Sequence, residues 1–142
     1  MKYIAIIYLF SVTTILGEPL PIDDIDSSRK VSYAKDIEPV FKRSCIACHN
    51  STKAKGKLNL ESVSYMMEGA DGFDVIVPGK SDESLVFLLA AHQEESFMPP
   101  PKNKSNAPNL TPEELGLLRL WIDQGAIDDG VSAENKKINF AK

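Results

Sequence analysis

The only two cysteines of this 142-residue chain stand in the pentapeptide Cys45-Ile46-Ala47-Cys48-His49, which most constrains what the chain can fold into. Each part of it has a separate chemical reason. Two thiols separated by two residues reach one porphyrin edge from a single helical turn and form thioethers with haem vinyl groups. The imidazole next to them in the chain ligates the iron from one face. Three other readings of the same residues stay open: a structural disulfide, a thioredoxin-like dithiol and a zinc site. A dithiol motif belongs in a βαβ context, and no such unit is visible here. A zinc site of Cys45, Cys48, His49 and His92 has enough ligands, but its histidine spacing matches no standard structural pattern.

The N-terminus sets the expected compartment. Lys2 precedes a nearly continuous apolar run from Tyr3 to Leu16, and no acidic residue appears before Glu18. This is the pattern of a signal peptide over residues 1–17, with cleavage near Gly17. The run of 14 residues is short for a membrane span, which takes about 17 to 25; an uncleaved anchor is the alternative. Export to the bacterial periplasm agrees with the pentapeptide, because c-type haem is attached to exported chains on the far side of the bacterial membrane.

Removing residues 1–17 leaves enough chain for one domain with a real core. The formal charge of the whole chain is −4, and loss of Lys2 makes it −5, which argues against a nucleic-acid partner. Residues 18–32 are rich in Asp, Ser and Pro and read as a flexible leader. Residues 128–142 read as a polar C-terminal tail.

Between these flanks the pattern is helical. Asp36, Ile37, Val40, Phe41, Cys45 and Cys48 recur at helical spacings. With Asp36 as N-cap, Pro39 falls in the third helical position, where its missing amide is unpaired in any case. Asn50 to Lys57 is a loop, and Leu58 and Leu60 return the chain to the interior. Glu61 to Glu68 is expected as a short helix ended by Gly69. Asp82 to Ala91 comes after the Pro78-Gly79 turn, with Ser81 as cap and Leu85, Leu88 and Leu89 facing inward. In the last helix Thr111 caps, Pro112 takes the first position, Glu114 completes a capping box and Gly125 closes the far end. Its core face is Leu115, Leu118, Trp121 and Ile122. No repeat or sheet pattern is present, so the expected fold is all-α.

A second axial ligand has to come from another segment, and Met98, which enters Met98-Pro99-Pro100-Pro101, is the leading candidate. Proline restricts the residue before it and stiffens those after it, so Met98 is presented on a loop. Its thioether favours reduced iron and raises the potential. Met66 and Met67, within a helical pattern, and His92, after the leucine face, are the competitors. An open or His-ligated distal position would instead make a haem enzyme or sensor.

The chain resembles the Planctomycete-type cytochrome c family over about residues 33–127. The resemblance rests on Asp36-Ile37-Glu38-Pro39-Val40-Phe41, the Cys45 to His49 pentapeptide, Gly56-Lys57-Leu58-Asn59-Leu60, Val77-Pro78-Gly79 and Met98-Pro99-Pro100. It continues through Leu110-Thr111-Pro112-Glu113-Glu114 and Trp121-Ile122-Asp123-Gln124-Gly125-Ala126. It implies a small class I-like cytochrome c domain whose helices pack around one haem c. Cys45 and Cys48 would hold the haem, His49 and Met98 would ligate the iron, and Trp121 would brace the packing. Family domains often occur within larger oxidoreductases, whereas this sequence offers no separate catalytic region. The expectation is a one-electron carrier rather than an enzyme, free or as a subunit, serving a redox protein or membrane oxidoreductase. Lys53, Lys55 and Lys57 form a local positive patch that is either a guide for an acidic partner or an ordinary solvated loop.

Overall fold

Ser32 opens the first helical segment, in the computed structural model that describes residues 18–130. The hydroxyl of Ser32 accepts from the Lys35 amide at 3.2 Å, and its own amide donates to the Asp36 carboxylate at 2.8 Å. Asp36 is therefore the reciprocal partner of the cap and not the cap itself. The segment starts as a wide π-helical turn, Tyr33–Ile37, in which the Glu38 amide donates to the Tyr33 carbonyl. It then tightens into α1, Glu38–Ser44. The wide turn falls just before Pro39, whose ring would press on the carbonyl four residues back in a regular helix.

The remaining elements are a 3-10 turn at Lys55–Lys57, α2 at Val63–Met67, a 3-10 turn at Ser81–Glu83, α3 at Leu85–Ala90 and α4 at Pro112–Asp123. Pairing of extended chain among the described residues is limited to an isolated bridge between Ala70 and Phe73, so the fold is all-α. None of these helices is long and apolar enough to cross a membrane. The signal-peptide stretch 1–17 and tail residues 131–142 lie outside the described residues.

One of these helical segments differs from expectation in an instructive way. The expected 82–91 helix is two pieces, because the buried Ser84 hydroxyl donates to the Lys80 carbonyl at 2.8 Å and accepts from the Val77 amide at 2.9 Å. A serine hydroxyl used in this way competes with the helical ladder. The fully inward residues of α3 are Phe87 and Ala90, and Leu88 packs at the edge of the core. By contrast α4 has its full capping box, Thr111 with Glu114, and buries Leu115, Leu118, Trp121 and Ile122 as its pattern requires. Gly125 leaves it with φ +100°.

The core forms where α4 crosses the first helical segment. Trp121 stacks on Tyr33 with ring centroids 5.5 Å apart and meets Phe41 edge-on at 6.5 Å. Its indole N–H donates to the Ile127 carbonyl at 3.0 Å, so the largest core side chain buries no unpaired donor. Arg43 of α1 reaches Glu114 of α4 with two bonds of 2.6 and 2.7 Å. That fork, more than any other contact of the carboxyl, holds Glu114 below the usual glutamate range.

Residues 18–32 carry no helix but lie on the same core. Leu20 N–H donates to the Ala91 carbonyl and Asp23 N–H to the Pro112 carbonyl, both at 3.0 Å. The Gln124 carboxamide accepts from the Val31 amide and donates to the Arg29 carbonyl. Leu20, Ile22, Ile25 and Val31 pack against the core without any regular spacing. The close approach is set by Gly116, where a Cβ would stand 2.4 Å from the Asp23 carbonyl oxygen and 2.8 Å from Ile25 Cγ1. Gly to Ala inside a helix ordinarily gains about 1 kcal/mol. Here overpacking against backbone, about 1–3 kcal/mol, outweighs it. Gly116→Ala is expected to lower stability by about 1 kcal/mol, read as a lower denaturant midpoint. A raised midpoint would mean that residues 18–32 do not sit on α4.

Candidate functional site

The pentapeptide begins directly at the end of α1. The Phe41 carbonyl accepts from the amides of Cys45 and Ile46, each at 2.9 Å, and the Cys45 carbonyl accepts from those of Cys48 and His49, each at 3.1 Å. The chain thus continues as one tight turn, bringing both thiols and the imidazole to the same place. Asn50 locks the loop after the imidazole: its Nδ2 donates to the Ile46 carbonyl at 2.7 Å, and its Oδ1 accepts from the amides of Thr52 and Lys53. The Leu60 amide closes the segment on the His49 carbonyl at 3.0 Å.

His49 has one ring nitrogen committed. Nδ1–H donates to the Lys55 carbonyl at 3.0 Å, which leaves Nε2 with its lone pair free to ligate a metal. Burial lowers the imidazole pKa, partly opposed by this hydrogen bond, so the neutral form needed of a ligand is favoured. Burial pushes the Cys45 thiol up to about 12, and Cys48 Sγ lies 3.6 Å from Ser105 Oγ. Both cysteines are free thiols.

Met98 arrives from the far side of α3. Its amide donates to the Leu89 carbonyl at 3.0 Å, and the Met98–Pro99 peptide is cis. Beyond the prolines, Asn103 staples the loop: Nδ2 donates to the carbonyls of Pro100 and Ala107, and Oδ1 accepts from the Ala107 amide at 2.8 Å.

These segments enclose a cavity of about 750 Å³ lined by Cys45, Cys48, His49 and Met98 together. Its apolar wall includes Phe41, Leu58, Leu60, Val86 and Leu89. The volume lies in the usual range for small-molecule and cofactor sites, about 300–1,000 Å³. Two thiols, an imidazole with a free Nε2 and a thioether on an apolar cavity are a donor set that fits covalently held haem iron.

The competitors lie elsewhere. Met66 is 0% exposed within the core, Met67 is 39% exposed on α2, and neither lines the cavity. His92 is buried beyond the end of α3, with its ring 4.2 Å from that of Phe97, and also does not line it. Among the described residues no three His, Cys, Asp or Glu side chains group to hold a metal ion, so the four residues of the alternative zinc set are not gathered. Trp121 does not line the cavity either; it meets the cavity wall through Phe41. Sequence reasoning missed Asn50 and Asn103. Asparagine beside short polar residues is the only signal they give, and it marks a turn without saying what the turn encloses.

A model of the Planctomycete cytochrome C family matches residues 45–102. No curated protein and no solved structure matches the chain. The family match is narrower than the motif resemblance over 33–127, yet it begins at the first cysteine and ends just past the triple proline, spanning every residue brought to the cavity as a thiol, imidazole or thioether donor. From Cys45 to Lys102 the chain is similar to the Planctomycete cytochrome C family.

Proposed function

We propose that this protein is an exported one-electron carrier of the bacterial periplasm, with one haem c held through Cys45 and Cys48 and its iron ligated by His49 and Met98. The supporting observation is that a single apolar cavity gathers these four side chains and leaves out Met66, Met67 and His92. Haem c supplies the one-electron couple. The chain's own residues hold the thioethers, fix the imidazole tautomer through the Lys55 carbonyl, present a soft sulfur and surround the site with apolar side chains. Such an environment keeps reorganisation small and sets the potential through ligand identity and burial. None of these roles asks a side chain to act as general acid or nucleophile.

The test is the intact mass of the chain after exported expression. One haem added, resistant to acid-acetone extraction and cycling reversibly by one electron with little peroxide turnover, is the expected result. A properly exported but unmodified chain would overturn the reading. Efficient peroxide consumption would move it to an enzyme with an open distal position.

A further inference from the structure

The cavity rim carries charge of one sign. Lys53, Lys55, Lys102 and Lys104 line the cavity and are exposed, and no Asp or Glu lines it. This occurs in a chain with 20 acidic against 16 basic residues. Three lysines off the rim are paired with carboxylates: Lys42 with Glu38, Lys57 with Asp71 and Lys80 with Glu83. Among the described residues none of the four rim lysines is in an ion pair. Lys53 Nζ donates to the Ala47 carbonyl at 3.0 Å, which leaves its charge without a counter-charge. The positive patch is therefore not Lys53, Lys55 and Lys57, as adjacency in sequence suggests. Lys57 turns to Asp71, and Lys102 and Lys104 come from a remote loop to replace it.

Both loops are stapled. Asn50 holds the amide of Lys53, and Asn103 ties Pro100 to Ala107 across Lys102 and Lys104. The ammonium groups are thus carried on preorganised backbone around the opening through which electrons must pass. Unpaired exposed cations in such an arrangement steer an anionic surface and fix its orientation, while contributing less to affinity.

We propose that this rim is the docking surface for the carboxylate-rich face of a redox protein. The inference deepens the carrier reading and rests on it. The experiment uses the full haem-loaded chain, reduced, with two oxidants of opposite charge, hexacyanoferrate(III) and tris(phenanthroline)cobalt(III), and with polyglutamate as a competitor that mimics the acidic face. Despite the negative net charge, oxidation by hexacyanoferrate should slow about tenfold from low to high salt, and polyglutamate should inhibit it. Lys53→Glu/Lys55→Glu/Lys102→Glu/Lys104→Glu should reverse the salt dependence. The corresponding glutamine variant should flatten it, and Lys30→Glu/Lys35→Glu, away from the cavity, should leave it in place.

A wild-type rate that rises with salt would overturn the proposal. So would equal effects of rim and control variants, or rim variants that shift the midpoint potential with the salt dependence intact, since the lysines would then serve the carboxylates of the cofactor itself. A chain without covalent haem gives no visible band to monitor and fails the carrier reading instead.

Discussion

Met98→Ala is expected to keep the haem attached while lowering its midpoint potential by on the order of 0.1 V, a modest part of the roughly 0.8 V that axial ligands span. On the proposed ligation the sulfur of Met98 is the soft donor that favours reduced iron, and alanine would open that position to exogenous ligands or to His92. The geometry separates the candidates. Met66 is fully buried in the core, so Met66→Ala should cost about 2–5 kcal/mol of stability and leave the ligand field alone. Met67, on the exposed side of α2, should change neither. His92 has φ +57° and stacks on Phe97, so recruiting it demands rearrangement of the segment before Met98. Oxidised-state optical and NMR spectra of the wild type beside the three alanine variants decide the matter. A methionine-to-iron signature that survives Met98→Ala, or is missing from the wild type, removes Met98 from the site.

Cys45→Ala/Cys48→Ala is expected to abolish covalent attachment and, with it, cooperative folding. The cavity of about 750 Å³ has an apolar wall that includes Phe41, Leu58 and Leu60, and a group bound to the folded state alone stabilises that state in proportion to its affinity. The variant should retain helical far-ultraviolet dichroism, lose the near-ultraviolet signal of Trp121 and unfold in denaturant without a sharp transition. An unfolding midpoint equal to that of the loaded wild type would show that the cofactor is no part of the core.

The sequence carried α4 almost whole because its caps and its apolar spacing are both local and agree with each other. It carried the cavity donors because Cys45, Cys48 and His49 are consecutive or nearly so, and because Met98 stands alone before three prolines. What escaped depended on contacts between remote segments. Ser84 turned inward and split a helix that its leucines alone would have continued. Ser32 took the cap assigned to Asp36, whose carboxylate turned back to accept from the Ser32 amide. The packing of residues 18–32 hangs on four irregularly spaced apolar residues and on Gly116, a helical glycine whose meaning lies in the chain that crosses it. Lysines beyond the prolines gave no sign that they would share an opening with those near the haem motif.

The meeting of the two ends of the domain also sets an order of events. Tyr33 needs Trp121, Asp23 needs Pro112, and Arg29 and Val31 both need Gln124. These contacts close only after nearly the whole chain is available, and long closures come late because their entropy is lost before their contacts form. The turn that carries Cys45, Cys48 and His49 is held instead by bonds between Phe41 and Leu60, none of which waits for α4. On the proposed export, with the chain emerging N-terminus first, this turn would assemble before Trp121 is available. Covalent maturation would then have a window of its own before the core shuts, with a rate separable from that of global folding.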